Sequence, residues 1–157
     1  MNVNKSTRHA KITGDFGEAL VLYWLSKYGF ECGRFDHTGI DIIASNLDTG
    51  ERMGISVKSR SRKEGTEQDY VSIPGDNFHK AKAACKAFGC EPYFAIVVDA
   101  AGLVRVFILP MTTLLKHAPK GKRAASWKMT RNDLVKYAED PDVKTFECRS
   151  ETTRWWK

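Results

Sequence analysis

Tyr93-Phe94-Ala95-Ile96-Val97-Val98 is an unbroken apolar run. A run this short, apolar at every position, reads as a strand covered on both faces. The sheet that holds it needs helices on either side, and the flanking sequence supplies them. One helix is expected over residues 13–28, apolar on nearly all sides (Phe16, Leu20, Val21, Leu22, Trp24 and Leu25), buried, and closed by Gly29. A second is expected over 76–88, with Phe78, Ala81, Cys85 and Phe88 as its apolar stripe. Strands are expected over 30–35, 40–45, 53–59 and 103–109, with a short one over 70–73. After Pro110 the pattern weakens to a short helix over 112–117 and a basic segment over 116–128. A last helix over 130–138 opens on a capping pair, Thr130 and Asp133, and a strand over 145–149 follows. The order α-β-β-β-α-β-β is that of an α/β fold, a mixed central sheet flanked by helices. One domain is expected over 1–157, with a basic arm at 1–12, a core at 13–109 and a helical, basic C-terminal extension at 110–157.

Three charged residues stand on otherwise apolar elements. Glu18 shares a helical arc with Val21, Leu22 and Leu25. A carboxylate there costs free energy unless it is paired, hydrogen-bonded or metal-bound. Pairing with an arginine is the plain alternative to a functional role. Asp41 stands inside Gly39-Ile40-Asp41-Ile42-Ile43-Ala44, although aspartate is a poor strand former. Ser56 and Lys58 lie two apart on the next strand and so share a face. A two-residue turn at Thr49-Gly50 would pair Asp41 with Lys58 and bring both beside Ser56. A slip of one residue would separate them. An inert Asp–Lys ion pair is the alternative here. Together the three residues suit phosphodiester hydrolysis. Hard oxygen ligands select Mg²⁺ or Mn²⁺, which activates water and neutralises phosphate charge. A lysine orients that water and stabilises developing charge.

The segments Gly14-Asp15-Phe16-Gly17-Glu18, Gly39-Ile40-Asp41-Ile42-Ile43-Ala44 and Ile55-Ser56-Val57-Lys58-Ser59 resemble the PD-(D/E)XK nuclease superfamily. They are similar in particular to its archaeal Holliday junction resolvase and Mrr-like restriction branches. The resemblance implies a restriction-endonuclease-like core and a Mg²⁺- or Mn²⁺-dependent endodeoxyribonuclease. It implies Asp41 as central metal ligand, Glu18 as a direct or water-mediated ligand, the Val57 carbonyl as a further ligand and Lys58 as the catalytic lysine. Ser56 departs from the pattern, because the family carries an acid or glutamine there and serine is a weak ligand. Glu64, Glu67 and Asp69 in the following loop are candidates to replace the missing carboxylate. Without a replacement, the chain reads as a DNA-binding module on a nuclease fold. A protein-interaction domain is a third reading.

Charge bears on the partner. The chain has 25 Lys and Arg against 19 Asp and Glu, a net charge of +6. That excess suits DNA and equally suits plain solubility. Arg60, Arg62 and Lys63 follow the site strand and, with Lys80 and Lys11, are the expected phosphate contacts. Lys5, Arg8 and His9 extend the basic arm, while His79 is expected to be exposed. Lys116, Lys120, Lys122, Arg123, Lys128 and Arg131 surround Trp127, which could stack on bases. Trp155-Trp156 could serve packing, a homodimer or stacking, and no role is assigned to it. No apolar run approaches the roughly 20 residues of a membrane helix, and the basic N-terminus lacks a signal-peptide core. A cytoplasmic protein is therefore expected. The four scattered cysteines form no C-x-x-C pair and read as reduced thiols.

Overall fold

The computed structural model describes residues 4–153. The elements run α1 (His9–Lys27), β1 (Phe30–His37), β2 (Ile40–Asn46), β3 (Arg52–Ser61), β4 (Val71–Pro74) and α2 (Gly75–Phe88). They continue with β5 (Glu91–Ala100), β6 (Leu103–Pro110), α3 (Met111–His117), β7 (Ala124–Trp127), α4 (Arg131–Glu139) and β8 (Lys144–Arg149). The central sheet has the order β1-β2-β3-β5-β6-β8, and β4 pairs with β7 in a second, two-stranded sheet. β3 and β5 are parallel and the other central pairs antiparallel, so the sheet is mixed and flanked by helices as expected. The parallel pair needs a crossover, and α2 lies on it.

β5 is the strand marked by the apolar run. Phe94, Ile96 and Val98 join Phe78, Ala81 and Cys85 of α2 in one core, with Phe107, Leu114, Trp127 and Tyr137. Ala95 and Val97 point the other way and join Val21, Trp24 and Leu25 of α1.

Several expectations are corrected. α1 starts at His9, within the supposed arm. Ahead of it, the Lys5 ammonium donates to the Ser61 carbonyl at 2.6 Å and to its hydroxyl at 3.0 Å, which ties that segment to the end of β3. α1 is also not buried all round. Only one side meets the sheet, so Phe16 and Tyr23 stay 45 % and 56 % exposed. The basic stretch after Pro110 hides β7, and β8 closes the central sheet against β6. Trp127, like Ala125, is an inward residue of β7. It is fully buried and stacks on Tyr137 with ring centroids 3.8 Å apart, so it is core and not a platform for bases. Trp155 and Trp156 lie outside the described residues.

The β2–β3 hairpin is wider than a two-residue turn. Ser45 pairs with Arg52, and the Asn46 side-chain carbonyl accepts from the backbone N–H of Asp48 and Thr49 inside the loop. The register is therefore displaced by two from the expected one, and Asp41 falls opposite Ser56 rather than Lys58. Side chains alternate with a period of two, so a shift of two leaves Asp41, Ser56 and Lys58 on a common face.

Candidate active site

Two close backbone approaches bring the charged residues into one region. A β-carbon added to Gly17 would lie 1.8 Å from the Ser59 hydroxyl, so α1 can rest on β3 at this level only with glycine there. Glu18 is the next residue. Gly39 has a φ of +102°, and a β-carbon there would lie 2.4 Å from the Lys80 backbone carbonyl. The turn entering β2 thus touches the backbone of α2, two residues before Asp41. Gly17 and Gly39 of the sequence motifs each have a steric reason, whereas Gly14 faces open space.

The β2–β3 ladder ends at the pair Ile42–Ile55. Just beyond it, an Asp41 carboxylate oxygen accepts the Val57 backbone N–H at 2.7 Å, replacing the main-chain bond that would have continued the ladder. The N–H and C=O of a strand residue paired across an antiparallel ladder point the same way. The Val57 carbonyl therefore faces the Asp41 side of β3.

Glu18 and Lys58 approach Asp41 from different elements. Burial raises the Glu18 carboxyl above the usual carboxylate range, and the Asp41 charge adds to the effect. Arg34 of β1 opposes it, with its Nε 3.7 Å from Glu18 Oε2. Burial pushes the Lys58 ammonium below the usual lysine range, while the Asp41 charge resists the shift. Asp41 is thus the charge that both groups feel. Ser56 is only 2 % exposed and pairs with Phe94 of β5, so it adds a hydroxyl but no charge.

Of the acids in the loop after β3, Glu67 is engaged locally. A Glu67 carboxylate oxygen accepts the Gly65 N–H at 2.8 Å within the loop itself. Among the described residues, no three Asp, Glu, His or Cys side chains gather in a way that could hold an ion. Arg62, expected to hold phosphate, instead donates to the Asp69 and Tyr70 carbonyls at 3.0 and 2.8 Å and pins the loop shut. Lys11 pairs with Asp15 at 2.9 Å and Lys80 with Asp76 at 2.7 Å, each one helical turn away on the surface. Such exposed pairs are weak and leave both lysines open to other anions. Arg60 and Lys80 act electrostatically on Lys58, and Lys11 on Glu18. Lys63 is exposed on the adjoining loop. His79 is exposed as expected, with Nε2 3.5 Å from the Lys120 ammonium.

Sequence reading missed Arg34 as a named residue. The cost of a carboxylate at position 18 called for an arginine, but which one depends on the β1–β2 register, where Arg34 pairs with Ile42.

No family model matches the chain, and no curated protein matches it. The fold does have a solved counterpart. It is Hjc from Archaeoglobus fulgidus, a Holliday junction resolvase from an archaeal hyperthermophile, with 20 % identity, a TM-score of 0.55 and coverage of 73 % of this chain and 88 % of that one. At that identity the likeness is one of fold. Among the described residues, no helix is long and apolar enough to cross a membrane.

Proposed function

We propose that the chain is an endonuclease that hydrolyses DNA phosphodiesters with a divalent ion, Mg²⁺ or Mn²⁺. The observation that carries this reading is the Asp41 carboxylate set against the Val57 main chain just past the last β2–β3 pair, with its charge acting on both Glu18 and Lys58. The residues fit such an ion. Two carboxylates and a backbone carbonyl are hard oxygen donors, and a bound cation relieves the repulsion by which Asp41 raises the Glu18 carboxyl. Asp41, Glu18 and the Val57 carbonyl would hold it. Once bound, it would supply Lewis-acid polarisation of the phosphate and an acidified water. Ser56 could add only a weak hydroxyl contact.

The chain's own residues do the rest. No hydrogen bond or salt bridge ties down the Lys58 ammonium among the described residues. It can therefore turn toward the attacking water or the developing phosphate charge. Arg60, Lys63, Lys80 and Lys11 position the DNA backbone around the site without reading sequence. The fold shared with a Holliday junction resolvase supports DNA, and branched DNA first, as the substrate. A homodimer would present two such sites, as paired cuts in a branched duplex require. A cytoplasmic location suits this role.

The test uses supercoiled, linear, single-stranded and four-way-junction DNA with Mg²⁺ or Mn²⁺. Wild type is expected to cut at least one form. Asp41→Ala and Lys58→Ala should each lose about a hundredfold or more. Equal activity in all three proteins overturns the reading. Salt-sensitive DNA binding without cleavage in either metal would make the chain a binding module instead.

A further inference from the structure

We infer that Arg34 is an internal counter-cation which must leave Glu18 before the divalent ion is held, and that a DNA phosphate draws it away, so that metal and DNA bind cooperatively. This deepens the metal-dependent reading above and rests on it.

The charges around Asp41 lead to this inference. Two carboxylates, Glu18 and Asp41, face two cations, Lys58 and Arg34. Ser56 is buried and brings no charge where an acid would tip the sum negative. These four side chains sum to zero, and a divalent ion entering among them would leave an excess of two positive charges, with Arg60 and Lys80 nearby adding no negative charge to offset it. Phosphodiesters supply the missing negative charge. Free protein should accordingly hold the ion poorly, and DNA-bound protein should hold it well.

Arg34 is placed to make this exchange. It lies on β1, at the edge of the central sheet, and its side chain is 50 % exposed. The contact to Glu18 at 3.7 Å is much longer than the ~2.8 Å of a charge-assisted hydrogen bond, so little is lost on breaking it. Its Nη2 donates to the Asp15 backbone carbonyl at 3.1 Å, so the contact to Glu18, made by Nε, can break while the guanidinium stays beside α1. A guanidinium fork fits phosphate oxygens two at a time, which an ammonium does not. Lys11 acts on Glu18 through charge alone, and its ion pair is with Asp15 at 2.9 Å.

Mn²⁺ binding to the full chain, followed by the electron paramagnetic resonance of the free ion, tests the coupling. The titration is run alone and with a duplex whose diesters are phosphorothioates, which keep their charge and resist hydrolysis. Asp41→Ala marks the uptake that belongs to the site. We expect DNA to tighten the Asp41-dependent Mn²⁺ affinity by about 5- to 150-fold, the usual span of coupling between sites. Arg34→Gln should bind Mn²⁺ more tightly than wild type without DNA and gain less from adding it. Arg34→Lys, which keeps the charge and loses the fork, should match wild type without DNA and also gain less with it. A thermal melt confirms that each variant is folded. Asp41-dependent affinity that is equal with and without DNA overturns the inference while leaving the nuclease reading intact. So does Arg34→Gln behaving as wild type in both states. Mn²⁺ uptake that never depends on Asp41 defeats the metal-dependent reading itself.

Discussion

Trp127 lies among aromatic partners, with Tyr137 at 3.8 Å, Phe107 at 5.4 Å and His117 at 6.2 Å between ring centroids. Glu18, across the central sheet, has one loose arginine contact at 3.7 Å and a like charge pressing on it from Asp41. The same chain thus builds one region by apolar burial and the other from half-buried charge. Burial of rings stabilises the fold. Half-buried, under-paired charge destabilises it and is kept in proteins where chemistry uses it. The β7–α4 region carries stability, and the end that holds Glu18, Asp41 and Lys58 concentrates under-paired charge at a cost in stability.

The hardest test of that contrast is Trp127→Ala. It should cost about 3–5 kcal/mol in urea denaturation. A loss below about 1 kcal/mol would remove the β7–α4 region from the stabilising side. Gly17→Ala comes next. The new methyl would overlap the Ser59 hydroxyl, at an expected cost of about 1–3 kcal/mol. Adding Ser59→Ala should recover part of it, so the double-mutant cycle will be non-additive. If the two changes add independently, α1 is not held against β3 at this point.

Lys58→Met should have the smallest effect and the opposite sign. It should raise the melting temperature at neutral pH while cleavage is lost. Burial lowers the folded-state pKa of Lys58 from its ordinary 10.5, so at neutral pH the charged form is disfavoured in the folded state alone. That penalty fades as pH rises through the lowered value toward 10.5, because the folded protein sheds the proton first. The stability advantage of Lys58→Met over wild type should shrink across the same window. An advantage independent of pH would mean that packing, and not charge, sets the difference.

The charged face was legible in the sequence because its signals are local. A carboxylate on an apolar helix arc and an aspartate among isoleucines each need a reason, and strand alternation fixes the face. The exact pairing was not legible. It depends on Asn46 folding over its own loop, which two turn residues do not announce. The error of two residues was harmless only because the strand period is two. β7 escaped because four residues inside a basic stretch carry too little pattern, and its tryptophan looked like a surface feature until Tyr137, Phe107 and His117 enclosed it. Arg34 needed the register of two strands before its partner could be known.

The single parallel pairing also bears on the order of assembly. β1, β2 and β3 follow one another through tight connections, so Asp41 and the strand bearing Lys58 can meet early. β3 gains its other neighbour only when Met53 meets Glu91 and Lys58 meets Ile96, after the whole of α2 has been laid across the gap. Long-range closure of that kind slows folding, because chain entropy is lost before contacts return it. The strand at the heart of the site should therefore be clamped late. Rate measurements on Ile42→Val and Ile96→Val would read the sequence of events. The first should mainly slow folding and the second mainly speed unfolding. The reverse pattern would mean that the parallel pair forms first and the hairpin joins it.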